Sequence, residues 1–461
     1  MRSRSFLAVT CAALVAFAAA GCGGAASGAG GAQGGAASVA PADTAAFVAV
    51  DTDLGSSQWQ ALDGLFRKLP QHDALLSELR RAFEQHSQLS WQNDVEPALG
   101  PELDVAVLPA ASGGKAQVVL LTQPSDSAKL DSLLGKLGAA KPQTAQVGGW
   151  TAISESADAL AAFSAATQHL ADSSVYQEAT GKLAGDALLE AYGNGAEARR
   201  LVSGLGGTVP AGHGQLVWAA ADVVAASGGL RVDGFTRSDG AGAAEPYASQ
   251  LVGEIPSGAL AVADFQAGQD AGTQPPASTP LGGALQSLAT ALGGETAVYV
   301  SSGGLIPAVT LVTRSSDPQQ VLDALHAALA NVGSAAGSAP KTGGIDLGSL
   351  LGAIRLSHAV VGPDLVVSTS QQALADFEAG GRKLADDGAF KAAQSAAGMP
   401  GKTTGFVYVD LADSLPALQA LATLAGAKLP GGDLSALRTL TAYGTGSSSG
   451  VAGFTVFLEV R

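Results

Sequence analysis

The chain has little cysteine and little charge. Of its 461 residues two are cysteine, Cys11 and Cys22, and 14% are Asp, Glu, Lys or Arg, against about 25% in ordinary soluble domains. Acidic residues outnumber basic ones, 40 against 25, so the formal net charge is -15 and the sequence pI is near 4.7. Such a chain repels phosphate backbones, and the composition therefore argues against a nucleic-acid partner.

Signatures of metal binding and catalysis are also missing. The six His are scattered, without H-E-x-x-H spacing, and no EF-hand spacing of acidic residues is present. The pattern G-x-S-x-G occurs at residues 446–450. It lies between two predicted strands, whereas a hydrolase nucleophile needs a turn from strand into helix. We therefore predict a protein that is not an enzyme, with no catalytic residues, no metal and no cofactor.

Long apolar runs are absent beyond the N-terminus, where residues 1–21 are typical of a bacterial signal peptide. Arg2 and Arg4 precede the apolar stretch Phe6–Ala20, which is shorter than the ~20 residues of a comfortable membrane span. The stretch ends in Ala-Ala-Gly-Cys22, which resembles the lipobox in which the cysteine is lipidated and becomes the mature N-terminus. An ordinary signal peptide is the alternative.

Lipidation of Cys22 would place the protein on the outer face of the cytoplasmic membrane. Two acyl chains give stable anchoring where one is marginal. Residues 22–40 are then the lipidated cysteine and an uncharged Gly/Ala/Ser/Gln tether, with an expected reach of about 20–25 Å. With Cys11 removed in the leader, the mature chain would have no disulfide.

The chain is rich in apolar residues, at 47%, and it contains an internal repeat. Residues Ala145–Ala179 return at Ala359–Ala393 without a gap, and about fourteen of about thirty-five paired positions are identical. The matches include two Phe, Phe163 and Phe377, and a Gly turn, which low complexity alone would not align. The repeat predicts one structural unit used twice.

Each copy of the repeat predicts a hairpin followed by two helices. Strands Gln143–Val147 and Trp150–Ser154 flank a Gly-Gly turn. The first helix of each copy has a Ser where an N-cap belongs and a Phe on its buried face. The second is predicted to open at an Asp and to bury an aromatic residue. These positions in the two copies are Ser156/Ser370, Phe163/Phe377, Asp172/Asp386 and Tyr176/Phe390.

Before the repeat, Leu62–Leu69 and Ala74–Phe83 are predicted as helices, and Glu102–Leu108 and Gln117–Thr122 as a hairpin. Asp126 is predicted to cap a helix that runs to Leu137. Similar strand and helix patterns recur after the first copy of the repeat. Helices fall between strands that are mostly joined as hairpins, which predicts an α+β fold of two tandem homologous units with mainly antiparallel sheet. The predicted regions are a signal peptide at 1–21, the lipidated tether at 22–40, a first unit at 41–237, a linker at 238–252 and a second unit at 253–461.

All four tryptophans lie in the first unit. They are Trp59, Trp91, Trp150 and Trp218. Core or turn packing that drifted after duplication is one interpretation. The other is a ligand or partner surface confined to the first unit, because aromatic residues dominate such surfaces.

Three stretches of the first unit resemble a known bacterial family. They read VAPADTAAFVAVDTD, NDVEPALGPELDVAVL and VVLLTQPSDSAKLDSLLGKL, and they are similar to domain-of-unknown-function family 3352. Many actinobacterial members of that family carry a lipoprotein leader. The family has no established activity, so the resemblance implies no site residues.

We therefore expect a lipid-anchored extracytoplasmic protein that binds or supports rather than catalyses. Its expected partners are the membrane, through the N-terminal lipid, and an envelope protein or small ligand. A solute-binding component of a transporter is the main alternative, in which two lobes would close on a ligand. A cell-envelope hydrolase is the second.

Overall fold

The structure is a computed structural model in which two compact units, Met1–Ala241 and Gly242–Arg461, can be distinguished. The described residues are 34–70, 72, 73, 77, 81, 84, 85, 89–109, 116–136, 142–204, 215–240, 244–267, 291–302, 307–315, 317–337, 356–415, 434–446 and 450–461. Cys22 and most of the predicted helix Ala74–Phe83 lie outside them.

The first unit is built on antiparallel strands. Their bounds are β1 Ala46–Asp51, β2 Glu102–Leu108, β3 Gln117–Thr122, β4 Gln143–Val147, β5 Trp150–Ser154, β6 Leu189–Asn194, β7 Gln215–Ala226 and β8 Gly229–Asp239. They are hydrogen-bonded in the order β4-β5-β3-β2-β1-β6-β7-β8. The predicted hairpin β2–β3 and the repeat hairpin β4–β5 are confirmed at their predicted strand bounds, because strands that are close in the sequence pair locally.

Helices of the first unit pack on both faces of these strands. Their bounds are α1 Ser57–Phe66, α2 Ser127–Lys136, α3 Ala157–Ala165, α4 Ser174–Thr180 and α5 Gly195–Gly204. Short 3₁₀ or π turns lie at Gly35–Ser38, Trp91–Val95, Glu96–Ala98 and Leu170–Asp172. Asp126 caps α2 as predicted, since its Oδ1 accepts from the backbone N–H groups of Ala128 and Lys129. Leu130 and Leu133 of α2 then join Leu103 and Leu120 in one apolar core.

The second unit has strands in the same spatial order. Their bounds are β9 Ala261–Ala267, β10 Gly294–Ser301, β11 Ala308–Thr313, β12 Ser357–Val361, β13 Asp364–Ser368, β14 Gly405–Asp410, β15 Leu437–Thr445 and β16 Val451–Val460. Their order is β12-β13-β11-β10-β9-β14-β15-β16, which matches the first unit strand for strand. The helices are α6 Pro318–Gly337, α7 Gln371–Glu378 and α8 Gly388–Ala397, with 3₁₀ turns at Leu251–Gly253 and Leu384–Asp386, and residues 411–415 are also helical. The predicted α+β class with largely antiparallel sheet is confirmed.

Both copies of the repeat fold as a hairpin and two helices, with one correction. Ser156 and Ser370 are the predicted N-caps. Asp172 and Asp386, predicted to open the second helix, instead end a 3₁₀ turn. The caps are the next residues, Ser173 and Asp387, because the extra turn moves the helix start by one position.

The predicted tether is wrong for its last seven residues, 34–40. Ala36, Ala37 and Ala40 are buried in the first unit, and the backbone N–H groups of Gly35 and Ala36 are donated to carboxylates on β2. A Gly/Ala/Ser composition predicts flexibility, but small residues also allow a backbone to approach buried acceptors closely.

The predicted linker 238–252 is wrong at both ends. Strand β8 continues to Asp239. On the other side, Tyr247 pairs with Thr403 of the second unit, and Leu251 is fully buried. Residues 247–252 therefore belong to the second unit, because their backbone groups find hydrogen-bond partners there.

Candidate functional site

Three of the four tryptophans are buried, so they do not form the exposed surface that the sequence allowed. Trp59, Trp150 and Trp218 are 2%, 6% and 0% exposed. Trp59 donates its indole N–H to the backbone carbonyl of Asp51 at 3.0 Å, and Trp218 lies on the inward face of β7. Packing was the other interpretation, and it describes these three. The side chain of Trp91 lies outside the described part of the structure.

One face of the first unit's sheet, the face on which Tyr176 of α4 packs against Phe47, carries a row of carboxyl groups. Ala49 on β1 lies opposite both Asp104 on β2 and Glu190 on β6, and Glu190 lies opposite Asp222 on β7. Residues opposite one another share a face of the sheet. All three acidic side chains are buried, although such groups are rarely buried without a partner.

The 3₁₀ turn Gly35–Ser38 is seated on one end of this row. Gly35 donates its backbone N–H to Glu102 Oε1 at 2.7 Å, and Ala36 donates to Asp104 Oδ2 at 3.0 Å. The other oxygen of Asp104, Oδ1, is buried and has no hydrogen-bond partner among the described residues. Such a group is most easily accommodated when it carries a proton.

Burial makes these acids hold their protons more tightly. It raises the pKa of Asp104 well above its usual range, and the nearby Glu102 raises it further. Burial, with the neighbouring charge of Asp222, raises the pKa of Glu190 to about 7. At the end of β1, burial also raises the pKa of Asp51 to about 7. These groups can store protons near neutral pH, but they are shielded from an external substrate.

The second unit holds a comparable pair, Asp264 on β9 and Glu295 on β10. Gln250 and Leu251 donate backbone N–H groups to Glu295 Oε1 at 2.7 and 2.9 Å. The hydroxyls of Tyr247 and Ser249 donate to Asp264. Burial raises the pKa of Asp264 to about 6. In both units, therefore, the segment before the first strand is seated on two carboxyl groups.

The side chain that flanks the segment before the first strand differs between the units. In the first, Trp150 lies so close to Gly35 that a Cβ there would meet its ring at 3.1 Å. In the second, Asp364 takes the position of Trp150 and accepts from Arg314 Nε at 2.8 Å. Arg314 also donates to the Gln250 side chain. An apolar contact in one unit corresponds to an ion pair in the other.

One face of the second unit's sheet is covered by helix α6 at β11 and β13, where Leu311 and Val367 pack against Val321 and Leu322. The same face is apolar on four further neighbouring strands, where part of it is exposed. Phe265 on β9 lies opposite Gly405, which lies opposite Gly444, which lies opposite Phe454 on β16. The next two rows are Ala263, Val407, Ala442 and Val456, then Ala261, Val409, Leu440 and Leu458. Phe265, Val407 and Phe454 are 38%, 40% and 45% exposed. Adjacent exposed apolar residues mark interaction sites more often than isolated ones do.

Neither feature corresponds to a sequence motif. The carboxyl row could have been detected from strand β2, where E-L-D-V-A-V-L places acids at alternate positions. The apolar face could have been detected in β16, where both alternating sets are largely apolar. Within the described ranges, no group of three or more His, Cys, Asp or Glu could hold a metal ion. No helix in the described part of the chain is long and apolar enough to cross a membrane.

The fold defines a class of α+β protein whose two units each combine an antiparallel sheet with buried acids. Residues 5–151, roughly the first third of the chain, match a family described as "Protein of unknown function (DUF3352)". This part of the chain therefore resembles that family, as its sequence motifs indicated. No curated protein and no solved structure matches the chain.

Proposed function

We propose that this chain is a lipid-anchored extracytoplasmic binding protein, made of two homologous units, that holds the hydrocarbon chain of a membrane lipid. The observation that carries the proposal is the apolar sheet face of strands β9, β14, β15 and β16, in which every position of three rows is apolar or glycine and Phe265, Val407 and Phe454 are exposed. An antiparallel sheet with one solvated face normally has polar residues there. A face without them favours an apolar occupant.

The length of chain before the folded part favours a lipid as that occupant. If Cys22 carries the lipid, residues 22–33 separate the membrane from Gly34, where the described part of the chain begins. The Gly/Ala/Ser/Gln composition of that segment predicts a reach of about 20 Å. The folded part is then held beside the bilayer, where acyl chains are the most abundant apolar molecules.

Duplication is supported by the strand order and by the repeated residues. The order is the same in both units, and Phe163 and Phe377 are both buried on the helix after the repeat hairpin. Two unrelated eight-stranded arrangements have little reason to share both the order and the aligned core positions.

The proposal predicts that the purified full chain binds cis-parinaric acid, a fluorescent fatty acid. Val407→Thr and Phe454→Ser should each weaken this binding about tenfold, because losing an apolar side chain from a hydrocarbon contact costs about 1.5 kcal/mol. The matched control is Val360→Thr, which changes another exposed valine, 62% exposed, on strand β12. Fluorescence titration measures the affinities.

Two results would contradict the proposal. If the wild type takes up no probe, the face has another occupant, such as other residues of the chain or a protein partner. If all three variants bind as the wild type does, the probe binds elsewhere.

A further inference from the structure

The two units hold the segment before their first strand in the same way. In each, backbone N–H groups at a 3₁₀ turn donate to carboxyl groups on the sheet. A proline a few residues later in the chain forms an isolated β-bridge to the repeat. The bridges are Pro41 with His169 and Pro256 with Lys383. Leu170 and Leu384 then donate backbone N–H groups to Ala40 and Ile255 at 2.8 Å. Because the same contacts occur in both units, this way of holding the segment is not peculiar to one loop.

The segment fits tightly in the first unit. Gly34 has φ +62°, and a Cβ there would lie 2.7 Å from the Tyr176 hydroxyl oxygen. Val39 lies so close to Gly148 that a Cβ on that glycine would meet it at 2.5 Å. Docking therefore depends on small residues, and the segment lies against Asp104, whose carboxyl group is completely buried.

The groups that face Asp104 are acidic or neutral. Glu102 lies on its own strand, Glu190 on β6, and the Tyr176 hydroxyl on α4 is close enough to be affected by all three carboxyls. Tyr192 on β6 contacts the Tyr176 ring. Among the described residues no Lys or Arg forms an ion pair with Glu102, Asp104 or Glu190. A second negative charge here would be uncompensated.

We propose that residues 34–41 are a proton-controlled latch, docked while the Glu102–Asp104 pair holds a proton and released when both groups are ionised. Ala36 of the docked segment contacts Asp104, which is completely buried. Burial raises the pKa of Asp104 more than the N–H donor of Ala36 lowers it, so docking favours the state in which the pair holds a proton. By linkage, the proton favours docking to the same extent. Release would return the carboxylates to water and would free the backbone of the segment.

The latch itself does not depend on the proposed lipid anchor or ligand. One consequence does rest on them. Release would lengthen the tether from residues 22–33 to residues 22–43, since Thr44 and β1 follow. The folded part could then stand further from the membrane at higher pH.

Amide hydrogen exchange on the purified full chain tests the latch. After correction for intrinsic exchange rates, we expect protection of the peptide covering 34–41 to fall at least tenfold between pH 5 and pH 8, since each unit of pKa difference is a factor of ten. Asp104→Asn keeps an oxygen for the Ala36 N–H and carries no charge, so protection should no longer change with pH. Glu102→Gln should act in the same way.

Two controls accompany these variants. Gly34→Val should expose 34–41 at both pH values, because its side chain would clash with Tyr176. Asp264→Asn, in the second unit, should leave the pH response of 34–41 as in the wild type. Protection that is equal at pH 5 and pH 8 in the wild type would overturn the latch, as would a tenfold fall that persists in both Asp104→Asn and Glu102→Gln. Probe binding is a separate measurement, so the latch and the proposed function can fail independently.

Discussion

At the residue scale, Phe163 and Phe377 have the same role in two helices whose surfaces differ. Each lies about two turns after the serine that caps its helix and is almost completely buried. Around them, exposed positions of the two helices differ, as Asp158 and Gln372 illustrate. Burial restricts a position to residues of matching size and shape, whereas solvent-facing positions tolerate change.

Phe163→Ala and Phe377→Ala should each lower the free energy of unfolding by about 3–5 kcal/mol, the usual cost of truncating a core aromatic. Their effects should be nearly additive in the double variant, since they lie in separate units. Denaturant unfolding measures both. Phe265→Ala, at an exposed position, is the control and should cost far less. A loss below about 1 kcal/mol at either core position would contradict their equivalence.

The tryptophans show that residue type alone does not distinguish a core position from a binding surface. All four were candidates for a binding surface because aromatic side chains suit such surfaces. The same property suits them to cores, and only the register of β7 or the capping of α1 determines which use applies to Trp218 or Trp59. Of the residues that face solvent, Phe454 lies in a strand whose two alternating sets are both largely apolar, whereas Phe265 carries no distinguishing local signal.

At the scale of elements, local patterns were sufficient for the hairpins and insufficient for the docked segments. β2–β3 and β4–β5 were predicted because each is specified by alternation and a turn within a few residues. Gly35 and Ala36 find their acceptors 67 and 68 residues away. Nothing in a Gly/Ala/Ser stretch indicates a contact at that distance, so the segment was predicted as a flexible tether.

The carboxyl row also belongs to this scale, because it is assembled by strand pairing. Asp104, Glu190 and Asp222 are distant in sequence and adjacent only when β2, β1, β6 and β7 pair. Each acid alone reads as a surface residue. Their common burial follows from register, which a single sequence specifies only after the strand order is known.

Buried acids on the strands predict that the protein is most stable at mildly acidic pH. Asp51 and Glu190 have pKa values of about 7 and Asp264 of about 6 in the folded chain, above the values near 4 of unfolded carboxyls. The folded state therefore binds protons more tightly, and stability falls as pH rises from about 4 through about 7. Asp94 and Asp387, whose pKa values are lowered, act oppositely below about pH 4.

The melting temperature should accordingly be higher at pH 5 than at pH 8 at constant ionic strength. Glu190→Gln should reduce the difference, because it removes one of the contributing groups. Asp158→Asn, at an exposed position, should leave it unchanged. A melting temperature that rises steadily from pH 5 to pH 8 would rule out this use of the buried acids.

At the scale of the whole molecule, the two units have the same strand order. In both, the segment before the first strand, called here the entry segment, donates backbone N–H groups to carboxyl groups. The units differ in the side chains that flank this segment. Trp150 against Gly35 in the first unit corresponds to Asp364 and Arg314 in the second. If the units are homologous, as proposed, these are differences that arose after duplication. The internal repeat was detectable from the sequence, whereas the shared entry segments were not, because residues 34–41 and 249–256 have few identities.

Both the proposed lipid ligand and the proposed tether depend on the protein being held at the membrane by Cys22. Intact mass and fractionation of the full chain test this most directly. We expect the mature protein to begin at Cys22 with the added mass of a diacylglyceryl group and to remain in the membrane fraction. Cys22→Ser should abolish the added mass and either release the protein or leave the leader uncleaved. Cys11→Ser, in the leader, should change neither. An unmodified mature N-terminus, or a Cys22→Ser variant that fractionates and weighs like a lipidated wild type apart from the substitution, would contradict the account.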